Sequence, residues 1–447
     1  MAEKILKSGG EFNIIQADLV LSTGEAVGLK LSIMGLIIFE NIDQFFISGT
    51  LTFQDAFNLA SFGPIIGQEY LKLKIATPNF SGVENIIDYS INPLLVTSVD
   101  DRVEIGNGVQ ATTMSFSSRE FAINQRSRVR RNLVGSYSDI VKGMLETDLG
   151  NKKSDDYAGK KMNIEPSSER KKIIAPNCKP LDVISMASQY AVSQKFDAST
   201  YFFWETTAGF NFRSLGDIYS KLPIMKYSYG VAGTRTKDGA RDILEELSAI
   251  ENYRITSSPD TVWNYATGVF SSELIVHDII SKSYKTHTYN YSESFYKEQH
   301  LGTQPLAEVD HDGKDVSSFP SKQYLKPTVG INNDESFQDE FSQYAYSTNR
   351  LNLMQSRNSQ LSMLESGLQL NIDVVGTTFV KAGDIVEIMI PSVSAIKTTK
   401  NETKDMLYNG KFLVRAIRHD FNMTDDKHTM SMNVTKDAIQ PLYDIGL

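Results

Sequence analysis

Apolar and polar residues alternate one for one along most of the first 120 residues and again after residue 365, and this period constrains the fold more than any other feature. Leu71, Leu73 and Ile75 are separated by Lys72 and Lys74. Ile47, Leu51 and Phe53 alternate with Ser48, Thr50 and Thr52; Leu29, Leu31 and Ile33 with Lys30 and Ser32; Met114 and Phe116 continue the pattern. Successive strand side chains point to opposite faces, so such a run marks a sheet with one face buried and one wet. Thr23-Gly24 and Asn107-Gly108 punctuate the strands as turns. Six or more strands in one domain-sized stretch predict an antiparallel barrel or sandwich. The pattern returns at Leu368 to Val374, Asp384 to Ile390, Phe412 to Phe421, and Met430, Met432 and Val434, with Asn409-Gly410 as an entry turn. A second barrel is expected there.

Between these ends the texture changes. Ser136 stands as a capping residue before Ile140, Val141, Met144 and Leu145, which share a helical spacing. Lys179-Pro180-Leu181 opens another helix, with proline at its first position and Leu181, Ile184, Ala187, Ser188 and Ala191 on one face. A hairpin follows, Tyr201 to Glu205 and Phe210 to Arg213 around a turn at Thr206 to Gly209. Residues 300–340 hold scattered Gly and Pro among polar residues and are expected to be a long irregular excursion. A helix marked by Leu351, Met354, Leu361 and Leu364 comes next.

Composition narrows the function. The 447 residues suffice for two to four domains. Aromatic residues at 10% favour β-rich structure or large buried interfaces. A net charge of −9 argues against a surface that grips nucleic acid by its phosphates. The single cysteine, Cys178, precludes an internal disulfide and is expected to be a small buried residue. Met1 to Lys4 lack an apolar signal region, and no run approaches the ~18 apolar residues of a membrane span, so folding in a cytoplasm without membrane contact is expected.

No residue set points to catalysis, a cofactor or a metal. The six histidines lack zinc-site spacing. Asp310 to Asp315 resembles the start of a calcium loop, but Ser321 occupies the twelfth position where an acidic ligand belongs; a solvated loop is expected. Gly230 to Gly239 lacks the Gly-Lys-Ser/Thr ending of a phosphate cradle and is expected to lead into a helix. Asp100-Asp101 and Asp155-Asp156 are adjacent in the chain, poor geometry for an acid/base pair. Arg126, Arg128, Arg130 and Arg131 form a basic cluster, with Arg170, Lys171 and Lys172 a smaller one. Without interleaved aromatics, the cluster is expected at a solvated face or a subunit or partner contact.

Taken in order, several segments resemble the baseplate hub proteins of T-even-type contractile-tailed bacteriophages and the hub part of related injection-system spikes. Ile174-Ala175-Pro176 to Asp182 with its helix, then Tyr201 to Leu215, resemble the middle of such proteins. Gly376 through Asp384 and Glu387 to Pro391, Tyr408 to Val414, Ile417 to Phe421, His428 to Met430 and Lys436-Asp437 resemble a tube-type barrel. The resemblance implies a mainly β fold with α+β insertions: two tail-tube-like antiparallel barrels plus smaller α/β linking domains. The expected units are a first barrel at 1–120, an α/β linking domain at 121–221, a second, discontinuous barrel at 222–260 with 365–438, a linking insertion at 261–364, and a tail at 439–447.

The resemblance further implies a homotrimeric virion protein, assembled in the bacterial host cytoplasm, adapting a sixfold tail tube to a threefold spike. Its partners would be its own copies, a central spike protein supplied as a separate chain, tail tube or tube-initiator proteins, and a tape measure protein. Genomic DNA would pass through the lumen without specific binding. The alternative is a carbohydrate-binding or adhesin-like tail protein using Phe202, Phe203 and Trp204 as a sugar platform.

Overall fold

The computed structural model describes residues 9–55, 59, 65–77, 86–106, 109–154, 157–168, 170–196, 198–230, 243–279, 282–328, 349–391 and 407–439. The turn expected at Asn107-Gly108, the Asp155-Asp156 pair, most of the Gly230 to Gly239 loop and nearly all of the 439–447 tail lie outside these residues. The chain is mainly β, as the alternation requires. Strands β1 (Asn13–Val20), β2 (Ala26–Gly28), β3 (Ile33–Asn41), β4 (Ser48–Asp55), β5 (Tyr70–Ala76), β6 (Ile86–Asp88), β7 (Leu94–Gly106) and β8 (Val109–Ser117) build the first barrel unit; its order β2-β1-β5-β7-β8-β4-β3, with β6 beside β5, is not closed by a pairing of its ends among the described residues. Leu51, Phe53, Leu71, Leu73, Ile75 and Met114 are fully buried in its core. The Leu29 to Ile33 alternation does not make a strand. Ser32 and Ile33 both donate backbone hydrogen bonds to the Leu29 carbonyl, which closes a turn, and Leu31 is 99% exposed at its tip.

A small α/β unit follows: α1 (Arg119–Arg126), β9 (Asn132–Gly135), α2 (Tyr137–Gly143), β10 (Met162–Ile164), β11 (Lys171–Ile174), α3 (Pro180–Tyr190), β12 (Tyr201–Thr206), β13 (Gly209–Ser214) and α4 (Leu215–Tyr219). Ser136 caps α2 as its sequence requires: its hydroxyl accepts from Asp139 N and its own N–H donates to the Asp139 carboxylate. Pro180 opens α3, and Leu181, Ile184 and Ala187 are buried against α2 and β12.

The second barrel takes β14 (Met225–Tyr229) and, after helix α5 (Ile243–Ser248), β15 (Ala249–Ser257). After α6 (Thr261–Thr267), β16 (Ser271–Asp278), β17 (Ser283–Asn290), α7 (Tyr291–Phe295), β18 (Gln304–Pro305), β19 (Lys322–Thr328) and α8 (Asn349–Ser366), the chain returns to it with β20 (Leu368–Val375), β21 (Ile385–Met389), β22 (Gly410–Asn422) and β23 (Lys427–Lys436), and β24 (Ala438–Ile439) follows. The ring β22-β21-β14-β15-β20-β23 closes through the β22–β23 ladder. β14 runs parallel to both its neighbours, which the chain reaches only by long crossovers; a tight hairpin would have forced antiparallel pairing. β3 of the first unit pairs with β22 of the second, so one sheet runs through both.

The 300–340 stretch is less irregular than its Gly and Pro content predicts. Residues 322–328 form β19, which pairs parallel to β16. Pro327 fits because β19 is an edge strand. Residues 329–340 lie outside the described ones. Helix α8 differs too: besides Met363 and Leu364 it buries Gln355, Ser356 and Ser359, which hydrogen-bond across to Ser272, Glu298 and Val269.

Candidate functional site: a continuous sheet face with two open edges

The pairing registers place the outward residues of eight strands, β7-β8-β4-β3-β22-β23-β20-β15, in common rows. One row runs Ser115, Thr50, Ile37, Asp420, Thr429. The next runs Ser117, Ser48, Phe39, Arg418, Ser431, Asp373, Asn252. A third runs Asn41, Ala416, Asn433, Asn371, Arg254. Small hydroxyl and amide side chains dominate this face, and they bond sideways to one another. Thr52 meets Thr113 at 3.0 Å, Asn433 donates to Asn371 at 2.8 Å, and Ser431 donates to Asp373 at 2.6 Å. Its charges are Arg254, Arg418, Asp373 and Asp420, with Asp100 and Asp101 at the β7 end and Lys427 paired to Glu251 at 2.9 Å near the other. Leaving that pair out, two bases stand against four acids.

Among the described residues the face ends in two edges that lack a strand neighbour over most of their length. β7 pairs with β5 only at Leu94 and Leu95, so from Thr97 to Gly106 its outer edge has no strand neighbour among the described residues. β15 pairs with β14 only at Ala249 and Ile250, and from Glu251 to Ser257 its outer edge is likewise without a strand neighbour among the described residues. Exposed apolar residues punctuate both edges: Val103 and Ile105 on β7, Ile255 on β15. A long edge without a strand neighbour is a template for pairing with another chain. The charges interspersed along β7 limit indiscriminate pairing.

A buried network fixes the α/β unit against this sheet. Lys160 Nζ lies 2.7 Å from both Glu120 and Glu205. Burial opposes the Lys160 ammonium, but the two carboxyls, Glu205 foremost, outweigh it and hold its pKa above the ordinary value. Burial pushes the Glu205 carboxyl up despite Lys160. Glu205 also accepts from Ile47 N at 3.2 Å and from the Ser118 hydroxyl, both in the first barrel unit and its exit. Glu40 on β3 accepts from Thr207 N and Ala382 N, tying three units at one carboxylate. None of these contacts was legible in the sequence, because the partners lie tens to hundreds of residues apart.

The four arginines of the basic cluster lie in the α/β unit, off the eight-strand face. Arg126 ends α1, and Arg128 donates to the Gln125 and Ser127 carbonyls. Arg130 donates to Asn177 at 2.7 Å, and Arg131 forms a two-bond pair with Asp148. Cys178 is partly buried before α3; burial, then Asp182, raises its pKa, the opposite of an activated thiol. Asp310 accepts from Asp312 N and Lys314 N and closes a turn, and the described residues hold no group of three or more metal-ligating side chains. The sugar platform does not form: Phe203 is 3% and Trp204 1% exposed, because both faces of β12 pack into cores, and Phe202 packs against one of them. Among the described residues no helix is long and apolar enough to cross a membrane.

No family model and no curated sequence matches the chain. Solved structures do match its fold. The tail protein from Neisseria meningitidis MC58 is 12% identical, with a TM-score of 0.51 over 96% of this chain and 100% of its own. The 43 kDa tail protein of prophage MuSo2 from Shewanella oneidensis is 10% identical, with a TM-score of 0.51 over 94% of this chain and 98% of its own. The likeness is one of fold.

Proposed function

We propose that the chain is a structural ring protein of a contractile-type phage tail, the baseplate hub that joins the tail tube to a central spike. The observation that carries this reading is the eight-strand face, bounded by two edges without a strand neighbour among the described residues over most of their length. If the β7 edge of one copy pairs with the β15 edge of the next, the contact is head-to-tail, and such contacts close into a ring when the rotation allows. Three copies would give 3 × 8, or 24, strands around one axis, with each copy supplying two barrel units. A threefold ring with six similar barrels can meet a sixfold tube on one side and a threefold spike on the other. The tail fold shared with the Neisseria and Shewanella proteins supports a tail role.

In this reading the polar face lines the lumen. Hydroxyl and amide side chains that bond sideways to one another present few free donors to a passing phosphate. Two bases against four acids leave no cationic wall to collect phosphates and release counterions. DNA would therefore slide past. The Arg126, Arg128, Arg130 and Arg131 cluster, off this face, would serve a subunit or partner contact. The tube, spike and tape measure proteins are the partners such a ring requires. The test is an electrostatic and structural map of the assembled ring. A channel lined by Ser48, Thr50, Arg418, Ser431 and Asn433 supports the reading; a narrowest point lined by the arginine cluster overturns the lumen assignment.

A further inference from the structure

β22 passes from one hydrophobic core to the other. Its inward residues Phe412, Val414 and Ile417 belong to the second barrel's core, and Phe421 belongs to the first. His419 is the inward residue between them and is 1% exposed. His428, fully buried on β23, faces it: His419 Nδ1 and His428 Nε2 are 3.2 Å apart. The His428 ring stacks on Phe421 at 4.0 Å and lies so close over Gly376 that a Cβ there would stand 2.2 Å from it. The His428 backbone donates to Gly10 O and accepts from Gly376 N. The N-terminal run, the first core and the end of β20 thus converge on one imidazole pair.

A neutral imidazole has one donor and one acceptor nitrogen. The shared bond uses one nitrogen of each ring, and His419 Nε2 and His428 Nδ1 are left buried without a hydrogen-bond partner. The charged groups acting on His419 are Glu40 on β3 and Lys381 in the segment before β21; the one acting on His428 is His419 itself. Glu40 favours an imidazolium and Lys381 opposes it, while burial, the largest influence, holds the His419 pKa down to about 4 and that of His428 well below the ordinary value. Both rings are closed off from solvent, and the Glu40 carboxylate is already engaged by Thr207 N and Ala382 N.

We infer that the His419–His428 pair is an acid-sensitive latch between the two barrels: neutral, it joins their cores, and a proton on either ring opens the seam while each barrel keeps its own core. In the opened seam the imidazoles regain ordinary basicity, near 6.5. Opening is therefore suppressed above pH ~6.5 and grows about tenfold per pH unit below it, toward the closed-state value. This inference concerns the single chain and stands whether or not the chain forms a ring.

Hydrogen–deuterium exchange of the purified full chain, corrected for the intrinsic pH dependence of exchange, tests it. Between pH 7 and 4.5 the seam segments 35–41 and 416–422, the ladder that joins the two barrels, should lose protection by at least about tenfold. The hairpin at 201–214 and β16–β17 should keep theirs. In the variant H419Q/H428F the seam should keep its protection at pH 4.5. The inference is overturned if the seam stays equally protected at both pH values, if the control segments open in step with it, or if the variant opens as the wild type does. Should the variant not fold, the wild-type comparison of seam against controls decides alone.

Discussion

Lys160 and Glu205 meet at 2.7 Å inside the α/β unit with both side chains withdrawn from water, and Glu205 carries the contact on to the first barrel unit by accepting from Ile47 N and the Ser118 hydroxyl. Glu120 completes the site from α1 at the same distance, with Tyr157 donating to it. Removing one partner of a buried ion pair leaves an uncompensated charge, which costs more than the pair contributes.

Lys160→Met should therefore destabilise the chain by roughly 3–5 kcal/mol. The triple variant K160M/E120Q/E205Q should regain most of that loss, since its buried groups are neutral. Urea midpoints of the two variants check this. A single variant as stable as the wild type would show that the buried pair does not hold the α/β unit together.

Gly383 should not tolerate alanine. Its φ is +90°, and a Cβ would stand 2.4 Å from the Trp204 ring, whose Nε1 donates to the Ala382 carbonyl at 2.9 Å. Backbone strain and overpacking together should cost roughly 2–4 kcal/mol. Because both residues share one contact, G383A and W204F should be non-additive in a double-mutant cycle. Denaturant titration gives the cycle, and simple additivity would contradict the geometry.

His300 and Asp437 form a buried pair at 2.7 Å, and Asp437 also accepts from Leu301 N. Burial opposes the imidazolium, but Asp437 outweighs it and the His300 pKa is raised. The pair's contribution is therefore fully present below the unfolded value near 6.5 and is lost as pH rises through the folded value. Thermal midpoints should decline over that window in the wild type. The decline should flatten in D437N; an unchanged profile would remove the pair from the account.

Much of the fold was legible because alternation reports a face directly. Leu71, Leu73 and Ile75, and Leu368, Leu370, Ile372 and Val374, are all fully buried. The same signal failed at Leu29 to Ile33, where three alternating residues were too few to exclude a turn. β19 was hidden by Pro327, a residue that an edge strand tolerates. The candidate face was the least visible part. Its Ser, Thr and Asn residues mark only a wet surface until registers across two barrels align them, and nothing local distinguishes a lumen from open solvent.

Introducing lysines on the eight-strand face should convert it into a DNA-binding wall. In a ring, T50K/S431K places six new cations around the lumen, two per copy in three copies. Low-salt DNA binding should appear in this variant and fall steeply with added salt, while the wild type binds weakly. Fluorescence anisotropy of a labelled duplex reads this. Tight binding by the wild type would contradict a wall built for passage.

The β7 and β15 edges should close a ring of three copies. Single-particle electron microscopy of the chain, alone and with its spike, tests this most directly. The expected particle holds three copies, in which Thr97 to Gly106 of one copy pair with Glu251 to Ser257 of the next and the buried interface exceeds ~2,000 Å². No particle with three copies under either condition, or a ring that leaves those two edges facing solvent, would contradict it.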